Sequence, residues 1–270
     1  MSNKEIAVLL PVYNYQTGLE KTLESMRSEK DLFDIVLVDD GSTPPVDLTK
    51  FNDIKIILVR HDKNLGIVKA LNTGMQYIFD KGYKFIAFIN SGDISINNRF
   101  RKEQDFLNNN PEVGLVSSWY RLIDNNEKPF LVISRKQKED SEIRKYIYYE
   151  NIICEPSVML RADSAKKTGL FLEEFSYATD YEYWLRLIKN TKFAIIQEYL
   201  LDYEAKNPKS ISNSKREQML FLTIKIMIRH FDYKNIYNYL GLLRHCFYYI
   251  IPERIRELKR FLMPRYTRVK

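Results

Sequence analysis

The chain has only two cysteines, Cys154 and Cys246, far apart in 270 residues, and they form no Cys-x-x-Cys or Cys/His spacing. A disulfide framework and a zinc or dithiol motif are therefore excluded, and the pair reads as incidental thiols in a reducing compartment. Histidine is equally scarce: His61, His230 and His245 are scattered without metal-ligand spacing, and His61, just before a turn, reads as structural. No run of eighteen apolar residues occurs, so no segment is predicted to span a membrane. The apolar run Ile6–Leu10 near the start is strand-length and too short for an export signal. Neither G-x-x-x-x-G-K-[ST] nor G-x-G-x-x-G is present, which removes the support an ATPase or a dehydrogenase would need. There is also no internal repeat and no low-complexity segment.

What is present is an ordinary globular composition, 45% hydrophobic and 29% charged, with nineteen Tyr and fifteen Phe. Such aromatic richness suits clefts that grip flat rings or sugar faces, and equally suits a core with biased residue usage. The length allows one generous core, or one core with a smaller appendage. The net charge of +7 is uneven: from Gly241 onward eight Arg or Lys face two Glu. A tail of that sign calls for an acidic neighbour, whether anionic lipid, nucleic acid or a phosphate-bearing ligand.

Strand-length apolar runs at Ile6–Leu10, Ile35–Val38, Ile54–Val59 and Phe85–Ile89 alternate with helical spacing over 18–28 and 67–79. This order predicts a mostly parallel sheet with helices on its faces. Further on, the pattern predicts a helix over 101–110, a strand over 114–119, a charged loop over 124–150 and a buried strand over 154–160. A helix over 181–188 follows. Helices over 217–230 and 252–262, separated by a looser region, form a basic extension. The expected division is residues 1–215 for the sheet domain and 216–270 for that extension. In such sheets ligands bind beyond the carboxyl ends of the strands. Here those ends carry Tyr13–Asn14, Asp39–Asp40 and the stretch Asn90 to Asp93, a polar and acidic rim.

Taken singly, each acidic stretch has an ordinary explanation. Val38-Asp39-Asp40-Gly41-Ser42 ends a strand in a turn that Gly41 allows to bend sharply, and an Asp there is able to accept from a ring N–H. Asn90-Ser91-Gly92-Asp93 is a turn into a helix, or an oxygen ligand for a hard cation shared with substrate phosphates. Asp180 near the start of its helix is a capping residue, or a general base at the mouth of a cleft.

Five stretches occur in order: Pro11-Val12-Tyr13-Asn14, Val38 to Ser42, Asn64-Leu65-Gly66, Asn90 to Asp93, and Asp180-Tyr181-Glu182-Tyr183-Trp184-Leu185-Arg186-Leu187. In order and spacing they resemble the inverting family 2 glycosyltransferases of the GT-A fold, over roughly residues 5 to 215. Glu155 to Arg161 and Gly169-Leu170-Phe171 add to the match. The resemblance implies an α/β fold of GT-A type with a helical C-terminal extension. It also implies a nucleotide-diphosphate sugar donor, UDP-linked by expectation, and a glycan or lipid-linked glycan acceptor in cell-surface polysaccharide synthesis. Tyr13 would pack on the base and Asp40 hydrogen-bond it, while Pro11, Asn14, Asn64, Lys69, Asn90 and Ser91 would complete the donor site. Asp93 would hold Mn²⁺ or Mg²⁺ against the diphosphate, and Asp180 would deprotonate the acceptor. The family commonly carries Asp-x-Asp-Asp where this chain has Asn90-Ser91-Gly92-Asp93, so its first and third acids are missing here.

Two rival readings share parts of this pattern. A nucleotidyltransferase that makes nucleotide-sugars would carry a Gly-rich basic loop after the first strand, where this chain has Pro11 to Gln16. A non-catalytic module binding anionic membrane or nucleic acid through the tail leaves the acidic strand ends unexplained, and no nucleic-acid partner is expected. The aromatic stretch around Tyr237–Ile251 followed by Arg254–Arg260 fits a membrane interface with anionic lipid, or an apolar face packed on the main domain. The implied location is the cytoplasm, peripheral on the inner face of the plasma membrane.

Overall fold

The computed structural model describes residues 4–124, 126–205, 216–251 and 266–268. One ten-stranded sheet runs through it in the order β10-β7-β6-β8-β4-β1-β2-β3, with β9 beside β6 and β5 beside β9. Its first half is built from β1 (Ile6–Val12), β2 (Phe33–Asp39), β3 (Ile56–Arg60) and β4 (Phe85–Phe88), all parallel. The strand–helix alternation predicts this half well. Every residue of β1, β2 and β4 is buried, as strands covered on both faces must be.

Side chains divide between the faces with period two. Ala7, Leu9, Val36, Val38, Ile86 and Phe88 join the core under α2 (Ile67–Lys81). Ile6, Val8, Leu10, Phe33, Ile35, Leu37, Phe85 and Ala87 join the core under α1 (Gln16–Met26) and α3 (Arg99–Asn109). Strand β1 continues through Pro11 to Val12, beyond the predicted end. Pairing with β4 stops at Leu9, so on that side Pro11 faces no ladder in which its missing N–H would count.

Beyond β4 the sheet is mixed and not parallel. β8 (Met159–Arg161) runs antiparallel to both β4 and β6 (Val113–Ile123), whereas β9 (Lys192–Glu204) runs parallel to β6. The predicted loop over 124–150 contains β7 (Pro129–Ile133) and α4 (Asp140–Tyr146). The predicted strand over 154–160 begins as a 3-10 turn, Glu155–Ser157, because Pro156 supplies no N–H for a ladder. Short β5 (Ile94–Ser95) pairs with the end of β9 and so draws the turn after β4 toward Glu204.

Helix α5 (Ala162–Thr168) leads to α6 (Thr179–Leu187), whose Tyr181, Tyr183, Trp184, Leu185 and Leu187 are buried. Trp184 meets Phe88 edge-on with ring centroids 6.4 Å apart, and Phe171 stacks on Tyr183 at 4.2 Å. Arg186 bonds Glu182 at 2.8 Å and the carbonyls of Thr168 and Leu170 at 2.7 and 2.9 Å. These contacts make α6 a rigid support for whatever its first turn presents.

Helix α7 (Arg216–Arg229) packs Ile226 and Met227 into the same core. The region predicted as loose is instead helix α8 (Ile236–Ile250), capped by Asn235, whose side chain accepts from the Tyr237 N–H at 3.0 Å. The predicted helix over 252–262 lies outside the described residues. Strand β10 (Tyr266–Arg268) pairs antiparallel with β7.

Candidate active site

The carboxyl ends of β1, β2 and β4 open into a cleft of about 720 Å³, a size ordinary for a small-molecule site. Its walls include Pro11, Tyr13, Asp40, Asn64, Asn90, Ser91, Asp93 and Asp180. Two other sequence candidates are placed elsewhere. Asn14, at φ +48°, donates its N–H to Ser42 Oγ and accepts from the Thr43 N–H, tying the ends of β1 and β2 together. Lys69 is half-exposed and lies 3.7 Å from Glu173. Among the described residues, neither lines the cleft.

At the end of β2 the two aspartates have different surroundings. Asp39 is fully buried, accepts from the Ser42 N–H at 2.8 Å and is paired with Arg60. Asp40 accepts from the N–H groups of Leu65 and Gly66, each at 2.9 Å, and lies 2.7 Å from His61 Nδ1. The other ring nitrogen of His61 is 3.0 Å from Thr73 Oγ1, so the histidine is structural as its position suggests. Asp40 thus fastens the Asn64-Leu65-Gly66 turn against the rim. Gly41, at φ +77°, is required here: a Cβ would fall 2.4 Å from the Lys63 carbonyl carbon.

The turn after β4 is held by Thr22 of α1, whose hydroxyl donates to the Asp93 carbonyl at 2.8 Å and accepts from the Gly92 N–H at 2.9 Å. Ser91 Oγ donates to the Pro11 carbonyl at 3.0 Å, and Asn90 Nδ2 donates to Glu155 Oε2 at 3.0 Å. Asp93 is 3% exposed. Its Oδ1 accepts from the Glu204 N–H at 2.9 Å, while Oδ2 is buried without a hydrogen-bond partner. Burial, reinforced by the charges of Glu155 and Glu204, pushes its pKa up to about 8.

Glu155 is pushed up to about 7 by burial, with the Asp180 charge adding to the rise and the Asn90 bond opposing it. It is seated by Arg99, a fully buried cation whose Nη1 donates to the Pro156 carbonyl at 2.6 Å and whose Nη2 donates to Phe88 at 2.9 Å. Arg99 also pairs with Glu103 at 2.9 Å, so its charge is not left alone in the interior.

Asp180 is the second residue of α6. The residue before the helix, Ala178, offers no side-chain cap. Asp180 Oδ2 accepts from Asn151 Nδ2 at 2.8 Å. Burial raises its pKa, while the backbone N–H of Tyr181 and the Asn151 amide pull the other way. The carboxylate is therefore a stronger base than a solvated aspartate, yet it keeps hydrogen bonds that favour its charged form.

Several lining residues escape a motif search: Tyr15, Tyr120, Tyr203, Glu204 and Met219. Tyr15 donates its hydroxyl to Glu204, 2.7 and 2.8 Å from the two carboxylate oxygens, and burial raises its pKa. The detectable signal for Glu204 is an acid at the end of an alternating run, Leu200-Leu201-Asp202-Tyr203-Glu204. Met219 shows that α7 contributes to the cleft wall.

A family model described as "Glycosyl transferase family 2" matches residues 7–169. An uncharacterised glycosyltransferase of Methanocaldococcus jannaschii, MJ1057, is 27% identical over 229 residues, covering 82% of this chain and 78% of its own. The amylovoran biosynthesis glycosyltransferase AmsE of Erwinia amylovora is 29% identical over 189 residues, covering 67% and 69%. Among solved structures, residues 1–349 of S. aureus TarS in complex with UDP-GlcNAc superimpose with a TM-score of 0.69 at 17% identity, covering 91% of this chain and 73% of that one. The mannosyltransferase PcManGT from Pyrobaculum calidifontis, in complex with GDP-Man and Mn²⁺, gives 0.64 at 16%, covering 89% and 68%. At those identities the structural likeness carries the fold, which is the GT-A arrangement.

Proposed function

The chain belongs to glycosyl transferase family 2 and is a glycosyltransferase, and from that premise we propose that it moves one sugar from a nucleotide-diphosphate sugar, UDP-linked, onto a hydroxyl of a glycan or lipid-linked glycan, with inversion. The observation that supports this most directly is that Asp40, Asp93 and Asp180, from three separated stretches, line one cleft. Residues 1–215 form the transferase unit in this reading, and 216–270 a helical, basic extension. The half-exposed ring of Tyr13 would take the nucleotide base at the mouth, beside Asp40. Pro11, Asn64, Asn90 and Ser91 would line the donor. Asn14 and Lys69 would act from outside the wall, Asn14 by holding the rim together.

The chemistry follows from where charge moves. As the bond from the anomeric carbon to phosphate breaks, its electron pair passes to the departing diphosphate. The anomeric carbon gains oxocarbenium character and is attacked from the opposite face by the acceptor oxygen. That oxygen's proton goes to Asp180, whose partly buried carboxylate is poised to take it. One displacement inverts the centre, and no covalent sugar–enzyme intermediate forms, in contrast to retaining hydrolases.

The buried, unpartnered Oδ2 of Asp93 fits a hard divalent cation, Mn²⁺ or Mg²⁺. Among the described residues no group of three or more His, Cys, Asp or Glu forms a cage. That agrees with a cation which draws most of its ligands from substrate phosphates and only one or two from protein carboxylates. When bound, such a cation offsets the charge that builds on the leaving diphosphate.

A membrane-bound acceptor is favoured by α8. Every exposed position on this helix is large and apolar: Ile236, Tyr239, Leu240, Leu243, Phe247, Tyr249 and Ile250. Its inner side is anchored, with Gly241 against the Tyr148 carbonyl and Arg244 paired with Glu150 at 2.8 Å. An apolar outer face joined to a basic tail suits an anionic membrane surface, so the enzyme would work peripherally on the inner face of the plasma membrane. No helix among the described residues is long and apolar enough to cross a membrane.

The deciding experiment is a thermal-shift screen of UDP, GDP and other nucleoside diphosphates with and without Mn²⁺. A ligand that binds only the native state raises its melting temperature. The expected result is a metal-dependent rise with one nucleotide, and no rise with any of them would remove the donor assignment.

A further inference from the structure

The cleft wall between Asp180 and the turn after β4 is one short segment, tied down at both ends. At its start Asn151 Nδ2 donates to Asp180 Oδ2 at 2.8 Å. Further along the same segment, Glu155 Oε2 accepts from Asn90 Nδ2 at 3.0 Å, beside the turn that carries Asp93. Glu155 feels the charge of Asp180, and Asp93 feels that of Glu155, so this carboxylate lies near both. We propose that Glu155 touches the transferred sugar itself, accepting a hydrogen bond from one of its O–H or N–H groups, and so selects which nucleotide-sugar is used. This rests on the donor reading of the cleft given above.

Three observations carry it. First, the reaction fixes where the sugar ring must lie. Its anomeric carbon sits between a diphosphate departing on the Asp93 side and an acceptor oxygen arriving on the Asp180 side, and Glu155 lines the same cleft as both acids. Second, the carboxylate has an oxygen to offer. Asn90 is held by Oε2, Glu155 is only partly buried, and among the described residues no hydrogen bond reaches Oε1. Third, the carboxylate stands on a rigid turn, Glu155–Ser157. Arg99 Nη1 holds the Pro156 carbonyl at 2.6 Å, Ser157 Oγ lies 2.8 Å from Ser117 Oγ, and the Val158 N–H donates to the Glu155 carbonyl at 3.1 Å. An acceptor fixed in place before the substrate arrives discriminates between sugars by geometry, because an isomer that turns its hydroxyl away leaves the acceptor unpaired.

A purely structural explanation, in which Glu155 only anchors Asn90, predicts a different result. With Mn²⁺ present, calorimetric titration of the full chain compares UDP with UDP-glucose, UDP-galactose and UDP-N-acetylglucosamine. The readout is the ratio of affinities among the three sugars, which a loosened Asn90 would leave unchanged because it weakens all of them by the same factor. Wild type should favour one sugar over another by about tenfold or more, the size expected of a hydrogen bond to a charged group. Glu155→Ala should abolish that preference. Glu155→Gln, whose carbonyl preserves the Asn90 bond, should reduce it, because a neutral amide is the weaker partner. Thermal melts check that both variants fold. The wild-type preference surviving in either variant, or no preference in the wild type, overturns the role of Glu155 and leaves the donor reading standing. Failure of the wild type to bind UDP or any of the three UDP-sugars removes the donor reading and this role together.

Discussion

Asn151 Nδ2 donates to Asp180 Oδ2 at 2.8 Å, so the carboxylate at the start of α6 is aimed by a residue from the segment before the Glu155–Ser157 turn. The bond fixes the orientation of the carboxylate and stabilises its charged form, and a carboxylate's roughly four lone-pair sites let it also meet an acceptor hydroxyl. Asp180→Asn should lower kcat by a factor on the order of 10² to 10⁴ while nucleoside diphosphate binding stays intact. Turnover comparable to wild type would dismiss Asp180 as the base. Asn151→Ala should cost less, because it loosens the base without removing it.

Asp40 carries the 64–66 turn through two backbone N–H groups and the His61 ring. Asp40→Ala leaves those donors without their acceptor, so stability should fall by about 2 kcal/mol, measured by urea denaturation. Donor affinity should fall with it. An unchanged midpoint would show that the turn is held by other contacts.

Chelation by EDTA should suppress transfer, and Mn²⁺ or Mg²⁺ should restore it. Full activity in excess chelator would count against any cation at Asp93.

Glu155 gives a pH dependence whose sign is fixed by its shift. Its folded-state pKa is raised to about 7 from an ordinary value of 4.5. Below the lower value both states are protonated and nothing is lost. Between the two values the folded state alone keeps the proton, so stability declines as pH rises, and the full cost remains above the upper value. Glu155→Gln removes the cost. Because this carboxylate opens onto the cleft, the gain at pH 8 should be only about 1 kcal/mol, and none is expected at pH 4. Equal stability differences at both pH values would contradict the raised pKa.

The outer face of α8 offers a direct test of membrane attachment. Replacing Leu243 and Phe247, 69% and 54% exposed, by Ser should reduce sedimentation with anionic liposomes and leave solution-phase nucleotide binding unchanged. Undiminished sedimentation would assign the attachment to the basic tail alone.

The parallel half of the fold was readable because its strands and helices repeat apolar residues at periods of two and 3.6 within short windows, as Ile6–Val12 and Ile67–Lys81 do. Three of its motifs could be placed on strand ends for the same reason. Other elements left no such trace. β7 has an intermediate, half-covered face, and Pro156 broke a run that otherwise reads as a strand. α8 turns its large apolar residues outward while Asn238, Gly241 and Arg244 face inward, so the usual stripe of apolar residues toward the core does not mark it.

The sequence by itself determined the family, the alternation of strands and helices in the parallel half and which acids stand at strand ends, since these depend on neighbours in the chain. Only the tertiary structure decided what those acids do to one another. It set Asp39 against Arg60, turned Asp40 toward the 64–66 backbone, and brought Glu204 across 112 positions into the space that Gly92 leaves open. The reason is physical: a carboxylate's role is set by the charges, donors and burial around it, and those come from β5, β9 and α6, segments that meet the rim only after the chain has folded.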